Sequence, residues 1–355
     1  MGRKCYIQIM LAIFLGSPAF AQNDTISNPY DIADTLSGDF GLFSNEEIMN
    51  LSLRFNITEY TRKKPKEEYL KAILTYHIND KDSVNKEIRL KSRGEFRNGY
   101  CTFPPLVVNF KKAEFQKADL SKIEKMKLVT HCMSGNEEYL FREYLIYKLY
   151  NVLTDNSFKV RLAKISYINT YKKSKPILSY GFFIEPLSIL AERIQCTPVE
   201  SITLTQKNIL PEMMDRMAIF NYMIGNTDWS VPNQHNCKIL MMSNSVRPDL
   251  GMIVPYDFDY SGMVNASYAV PTEGLEIESV RERIYLGLCR NEAEYVKAIQ
   301  EFSDKKEDFY KVVREFPYLS ERSKKEIIRY LDDFYAGFDK KNSIVYEFLQ
   351  ECKDF

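Results

Sequence analysis

The feature that most limits what this chain can become is a change of apolar period near its middle. In the first half Leu51, Leu53, Phe55 and Ile57 alternate with other residues, and Leu70, Ala72, Leu74, Tyr76 and Ile78 do so again. Residues 84–93, 106–110, 127–131, 160–167 and 180–185 are further strand candidates. Alternation places every second side chain on one face, so these runs predict a sheet with one covered face. A helix is expected to interrupt them over 137–153, with Glu137 and Glu138 in its negative first turn and a broad stripe that includes Leu140, Tyr144, Tyr147 and Leu149.

Beyond Gln206 the spacing lengthens. Ile209, Met213, Met217, Phe220 and Ile224 recur at three and four, the period of a helix whose methionines fill a core. Two short apolar runs, 237–241 and 252–254, predict a hairpin. After Glu278 the chain is expected to be mostly helical, with Ile327, Leu331, Phe334 and Phe338 as the clearest stripe and Pro317 separating it from the helix before. The expected organisation is therefore α+β in two lobes: a strand-rich N-terminal lobe over 46–195 and a mainly helical C-terminal lobe over 196–355 that carries the hairpin.

The opening residues read as an export signal ending near Ala21. Arg3 and Lys4 precede a largely apolar stretch over 6–15, and Ala19-Phe20-Ala21 supplies small residues at a cleavage spacing. The stretch is too short to span a bilayer core, and no later segment of the sequence offers eighteen uninterrupted apolar residues. A polar leader over 22–45 follows. The expectation is a protein outside the cytoplasm, periplasmic or secreted, without a transmembrane span. With 48 basic and 48 acidic side chains the net charge is 0, which argues against a broad nucleic-acid surface. Six cysteines follow the signal, with no Cys-x-x-Cys pair; they exclude a zinc ribbon or thioredoxin-type motif and allow fifteen complete pairings.

The chemistry concentrates between Gly225 and Asp259. Gly225-Asn226-Thr227-Asp228-Trp229 directly follows a helix, Asn233, His235 and Asn236 precede a strand, and Pro255-Tyr256-Asp257-Phe258-Asp259 ends the next one. Carboxylate and amide oxygens delivered to one edge of a hairpin suit a hard cation such as Mg2+ or Mn2+. A separate aspartate can orient a hydroxyl or take its proton while the cation bridges phosphates. Asp228 is the candidate catalytic aspartate, Asn236 a metal ligand and Asp257 the main metal carboxylate. Asp259 is a second metal candidate if the chain turns at Phe258, and Asn226 is expected to hold the loop. His77, His131 and His235 lack zinc-site spacing. As turn caps and strand-end hydrogen bonders, the same residues would carry no chemistry.

This set resembles the CotH-like, spore-coat branch of the protein-kinase-like superfamily. The likeness runs over roughly residues 85–262, with Arg93-Gly94-Glu95-Phe96-Arg97 similar to an arginine–glycine segment, Lys127-Leu128-Val129 and Arg142 to the next strand and helix, and Gly181-Phe182-Phe183-Ile184-Glu185 to a later strand. The resemblance implies a protein-kinase-like two-lobed fold clamping ATP or a related nucleotide. It also implies that Asp228 is the catalytic aspartate, that Asn236 and Asp257 bind metal, and that Arg93 and Gly94 contact phosphate. Lys127 would contact the nucleotide and pair with Glu143, with Lys91 and Lys125 as other lysines and Glu138 as the other glutamate. Asp259 stands where protein kinases have glycine, no usual glycine-rich loop is present, and Asn233 competes with Asn236 by spacing.

The leading expectation is an exported metal-dependent phosphotransferase acting on a protein or glycan hydroxyl. The alternatives are a catalytically inactive kinase-like binding or envelope-assembly module, and a metal-dependent phosphoester hydrolase. Arg281, Arg283 and Arg290, expected on a helix beyond the site, read as a solvated face that could also attract an acidic acceptor.

Overall fold

The computed structural model describes residues 40–115, 117–200, 203–242, 246–339 and 343–354; the expected signal segment and the leader through residue 39 lie outside them. The first half runs β1 (Met49–Phe55), α1 (Ile57–Lys63), β2 (Leu70–His77), β3 (Ser83–Ser92), α2 (Phe96–Tyr100), β4 (Leu106–Asn109), α3 (Ala118–Ser121) and β5 (Lys125–Thr130). It continues with α4 (Glu137–Leu153), β6 (Val160–Asn169), β7 (Ile177–Ile184), α5 (Leu187–Arg193) and β8 (Cys196–Pro198). After a 3-10 turn at Gln206–Asn208 come α6 (Pro211–Ile224), β9 (Cys237–Met242), β10 (Met252–Pro255), α7 (Glu292–Asp304), α8 (Lys306–Glu315), α9 (Glu321–Asp339) and α10 (Ser343–Glu351).

The expectation of a protein-kinase-like two-lobed fold is corrected by the closure of the first-half strands. They form a barrel in the order β1-β2-β3-β4-β5-β7-β6, not a sheet with two edges. Closure is made by β6 lying parallel to β1, with Leu53 opposite Tyr167, while every other neighbouring pair in the barrel is antiparallel. Alternation within each strand cannot reveal this, because the closing partners are more than a hundred residues apart. The covered face predicted from the alternation is the barrel interior, where Leu53, Leu90, Leu106, Val108, Leu128 and Ile165 are fully buried.

Strands β5, β6 and β7 are buried on both faces along the stretches Leu128–Thr130, Val160–Ala163 and Gly181–Ile184. Leu128, Ile165 and Phe183 fill the barrel, while Val129, Leu162, Phe182 and Ile184 face outward into the second core. Helix α4 lies on this outer surface and packs against β6, β7 and α8, which explains why apolar side chains surround it almost completely. Although expected in the first lobe, it belongs to the core of the helical half.

The hairpin of β9 and β10 forms as expected and gains a third, unforeseen strand, β8. Helical structure resumes at Glu292, not just beyond Glu278, so Arg281, Arg283 and Arg290 stand outside helices. They neither form a solvated face nor wait for a ligand. Arg281 donates to Gly262 O, Arg283 to Met223 O and Tyr330 O, and Arg290 pairs with Asp215. Two disulfides, Cys101–Cys132 and Cys289–Cys352, select the pairing; Cys196 and Cys237 are buried thiols. Among the described residues no helix is long and apolar enough to cross a membrane.

Candidate functional site

Helix α6 ends at Gly225, whose φ of +65° lies in the left-handed region that favours glycine. A Cβ there would stand 2.2 Å from the Tyr330 hydroxyl, so the residue is also sterically required. The turn sends Asn226 back under the helix, where its Nδ2 donates to Asn221 Oδ1 at 2.9 Å and its Oδ1 accepts from the Asp228 amide at 3.2 Å. Asn226 thus holds the loop and Asp228 is presented beyond it.

Asp228 is held on both carboxylate oxygens. His235 Nε2 lies 2.8 Å from Oδ1, and Asn236 Nδ2 donates to Oδ2 at 2.9 Å and to the Asp228 carbonyl at 2.8 Å. The amide oxygen of Asn236 takes part in none of these bonds and is the atom suited to a cation. Asn233 sits in the exposed turn before it and accepts from the His235 amide, so the structure places Asn236 in the cleft and leaves Asn233 outside.

Strand β10 ends at Pro255, and Asp257 takes a φ of +64°. A non-glycine residue in this region costs about 1–3 kcal/mol and persists where surrounding contacts impose it. Here the Asp257 amide donates to the Tyr147 hydroxyl at 2.9 Å, and Phe258 is locked in the core against Tyr147 and Phe220. The turn puts Asp257 and Asp259 on the same side, where both line one cleft with Arg93, Gly94, Phe96, Arg97, Asp228, His235, Asn236 and Tyr260.

The opposite wall comes from the loop after β3 and from α2. Arg93 Nη2 stands 3.6 Å from Asp257 Oδ2. Arg97 is buried between two carboxylates: Nε donates to Asp259 Oδ2 at 2.7 Å and Nη2 to Glu143 Oε2 at 2.6 Å. The Tyr268 hydroxyl donates to Asp259 Oδ2 at 3.0 Å. Cys101, immediately after α2, is tied to Cys132, so the disulfide anchors the segment that carries Arg97.

Burial drives the electrostatics. It pushes the Glu143 carboxyl up to about 8 despite Arg97, and raises Asp259 as well, with Asp257 adding to the shift. Burial also works against Asp257, but Arg93, Arg97 and Lys127 outweigh it and hold that carboxyl below its ordinary value. Arg97 keeps its charge because Asp259 and Glu143 overcome its own desolvation. The Lys127 amine is pushed down to about 8, first by burial and then by Arg93.

The expected pairing of Lys127 with Glu143 is replaced. Glu143 pairs with Arg97, whereas Lys127 Nζ lies 4.4 Å from the centre of the Tyr256 ring and within the electrostatic reach of Asp257. Glu138 binds Arg142 and Ser323, and Arg142 spends its donors on Glu138, Glu326 and Met263 O, away from the cleft. Glu185 is held by Arg193. Arg97 and Tyr268 were missed as site residues. Arg97 was visible as the second arginine of Arg93-Gly94-Glu95-Phe96-Arg97, four residues after the first. Tyr268 lies in a segment whose interleaved small and aromatic residues (Tyr260-Ser261-Gly262 and Tyr268-Ala269-Val270-Pro271) read in sequence as an ordered loop that could shape an acceptor site.

No family model and no curated protein matches this chain. Among solved structures it is similar to the crystal structure of a Helicobacter pylori proinflammatory kinase, CtkA, with a TM-score of 0.37 and 13% identity over 80% of this chain and 94% of that one. A likeness of this degree defines neither the fold nor the activity of this chain.

Proposed function

We propose that the protein is a metal-dependent phosphotransferase that moves a phosphoryl group from ATP or a related nucleotide to a protein or glycan hydroxyl outside the cytoplasm. The observation that carries the reading is the convergence of Asp228, Asn236, Asp257 and Asp259, from the end of α6 and the β9–β10 hairpin, on one cleft with Arg93. The motif resemblance to the CotH-like branch agrees with it, and the two disulfides suit an oxidising compartment.

The donor set fits a hard cation: it is built of carboxylate and amide oxygens, and Glu143 Oε1 beside it is buried without a partner. Asp257, Asp259 and Asn236 would hold Mg2+ or Mn2+. When bound, the ion would bridge phosphates and neutralise charge developing on them. Arg93 and Lys127 add positive charge on the wall where phosphates would lie. Asp228, fixed by Asn236, orients the acceptor hydroxyl and receives its proton, with His235 against its other oxygen.

The test is nucleotide binding and phosphoryl transfer by the mature chain with labelled ATP, Mg2+ or Mn2+, and protein and glycan acceptors. Asp228→Asn is expected to keep nucleotide affinity and lose about 10²–10⁴-fold in transfer. Wild-type protein that binds no nucleotide with either ion would overturn the reading. One observation favours a second reading, a binding module without transfer: both oxygens of Asp228 are already engaged and Arg97 occupies two of the nearby carboxylates. Acceptor capture unchanged in Asp257→Asn, with no nucleotide binding, is the result that reading requires.

A further inference from the structure

Once Arg97 replaces a lysine as its partner, Glu143 is left without a part in phosphoryl transfer. Its side chain is fully buried on α4, Oε2 is taken by Arg97 Nη2, and Oε1 has no hydrogen-bond partner. Arg97 carries the complementary defect, since Nη1 is also buried and unpaired. Native interiors pair nearly all such atoms, and here an unpaired acceptor and an unpaired donor stand in the same buried cluster, where a ligand could satisfy both.

The arrangement of the carboxylates says which kind. Glu143, Asp257 and Asp259 each bring an oxygen within 4.8 Å of the other two. Arginines take one oxygen from each: Arg97 holds Glu143 Oε2 and Asp259 Oδ2, and Arg93 faces Asp257 Oδ2. One oxygen of each carboxylate is then not spent on an arginine. Ligands on opposite sides of Mg2+ stand about 4.2 Å apart, and around Ca2+ about 5 Å, so three carboxylates with an oxygen each within 4.8 Å of the others are spaced on the scale of a hard divalent ion's coordination shell.

We propose that Glu143, Asp257 and Asp259 form a divalent-cation site, with Glu143 a direct metal ligand and Arg97 the counter-charge that holds the carboxylates together before the ion arrives. The inference rests on the phosphotransfer reading for the identity of the co-ligand. Three carboxylates face three cations, Arg93, Arg97 and Lys127, so the charge of an added ion is best offset by nucleotide phosphates. Metal and nucleotide therefore bind together, each tightening the other.

The experiment follows free Mn2+ by electron paramagnetic resonance as the mature chain is titrated, with and without a non-hydrolysable ATP analogue. Analogue binding is measured separately by equilibrium dialysis. Glu143→Gln leaves Arg97 short of a partner, so the double variant Glu143→Gln with Arg97→Met, which removes both charges of that pair, is run beside it with circular dichroism as the check on folding. Wild type is expected to bind Mn2+ at least tenfold more tightly with the analogue, and both variants to lose tenfold or more in Mn2+ affinity. Wild-type Mn2+ affinity in the folded double variant, with Asp257→Asn impaired, overturns Glu143 as a ligand and leaves the phosphotransfer reading standing. Mn2+ bound through Glu143 without any analogue binding supports the cation site and removes the phosphotransfer reading instead.

Discussion

The barrel and the cleft bury their residues by opposite means. Inside the barrel Leu53, Phe55, Leu128 and Phe183 share one apolar core, and the strand ladder pairs the main-chain polar groups around them, leaving the Tyr167 hydroxyl unpaired. At the cleft, Arg97, Glu143 and Asp259 are also buried but depend on opposite charge, since each alone would pay a large desolvation cost. The barrel loses stability in proportion to what is removed. The cleft is conditional: the cost of a substitution there depends on which charged partner is left behind.

The sharpest way to break this contrast is to damage the barrel alone. Phe55→Ala is expected to cost about 3–5 kcal/mol in urea denaturation, by lost burial and the cavity left behind, while the fraction that remains folded binds nucleotide as wild type does. Nucleotide affinity falling in step with stability would show that the two regions are one energetic unit. Next in size, replacing Cys101 and Cys132 together by serine removes a link spanning 31 residues, with an expected loss of about 4 kcal/mol on the loop-entropy account. Because this bridge anchors α2, it should also weaken Mn2+ or nucleotide binding, unlike Phe55→Ala.

The smallest effect concerns His131, which stacks on Phe103 at the barrel end and whose Nδ1 is buried without a partner. Burial holds its pKa below 6.5 in the folded state, only partly opposed by Glu137. Below about 6.5 the unfolded chain binds a proton that the folded one resists, so stability is full above that pH and falls as the pH drops toward the folded value. His131→Phe should remove this slope in denaturation curves taken between pH 5 and 7.5; a persisting slope would assign it to other groups.

Much of the local structure was legible. The alternation at Leu51–Phe55 and Leu70–Tyr76 marks β1 and β2, the apolar stripe over 137–153 marks α4, and the two short runs mark the β9–β10 hairpin. The residues of the cleft were legible as types in a pattern, with Asp228, Asn236, Asp257 and Asp259 meeting Arg93 at one place. The partner of Glu143 was not, because an arginine 46 residues away and a lysine 16 residues away are equivalent until the chain is folded.

Sequence alone determined most of the longer strands and helices, because backbone period and side-chain polarity act within a few residues, but not the short helices such as Ile57–Lys63 or the third strand Cys196–Pro198. It also determined the oxygen-rich chemistry gathered between Gly225 and Asp259. Only the tertiary structure decided that β6 closes on β1 to make a barrel, that Cys101 joins Cys132, and that Arg97 fills the space between Glu143 and Asp259. Those outcomes turn on distances between residues far apart in the chain, and on the cost of hiding charge from water, which no local pattern records.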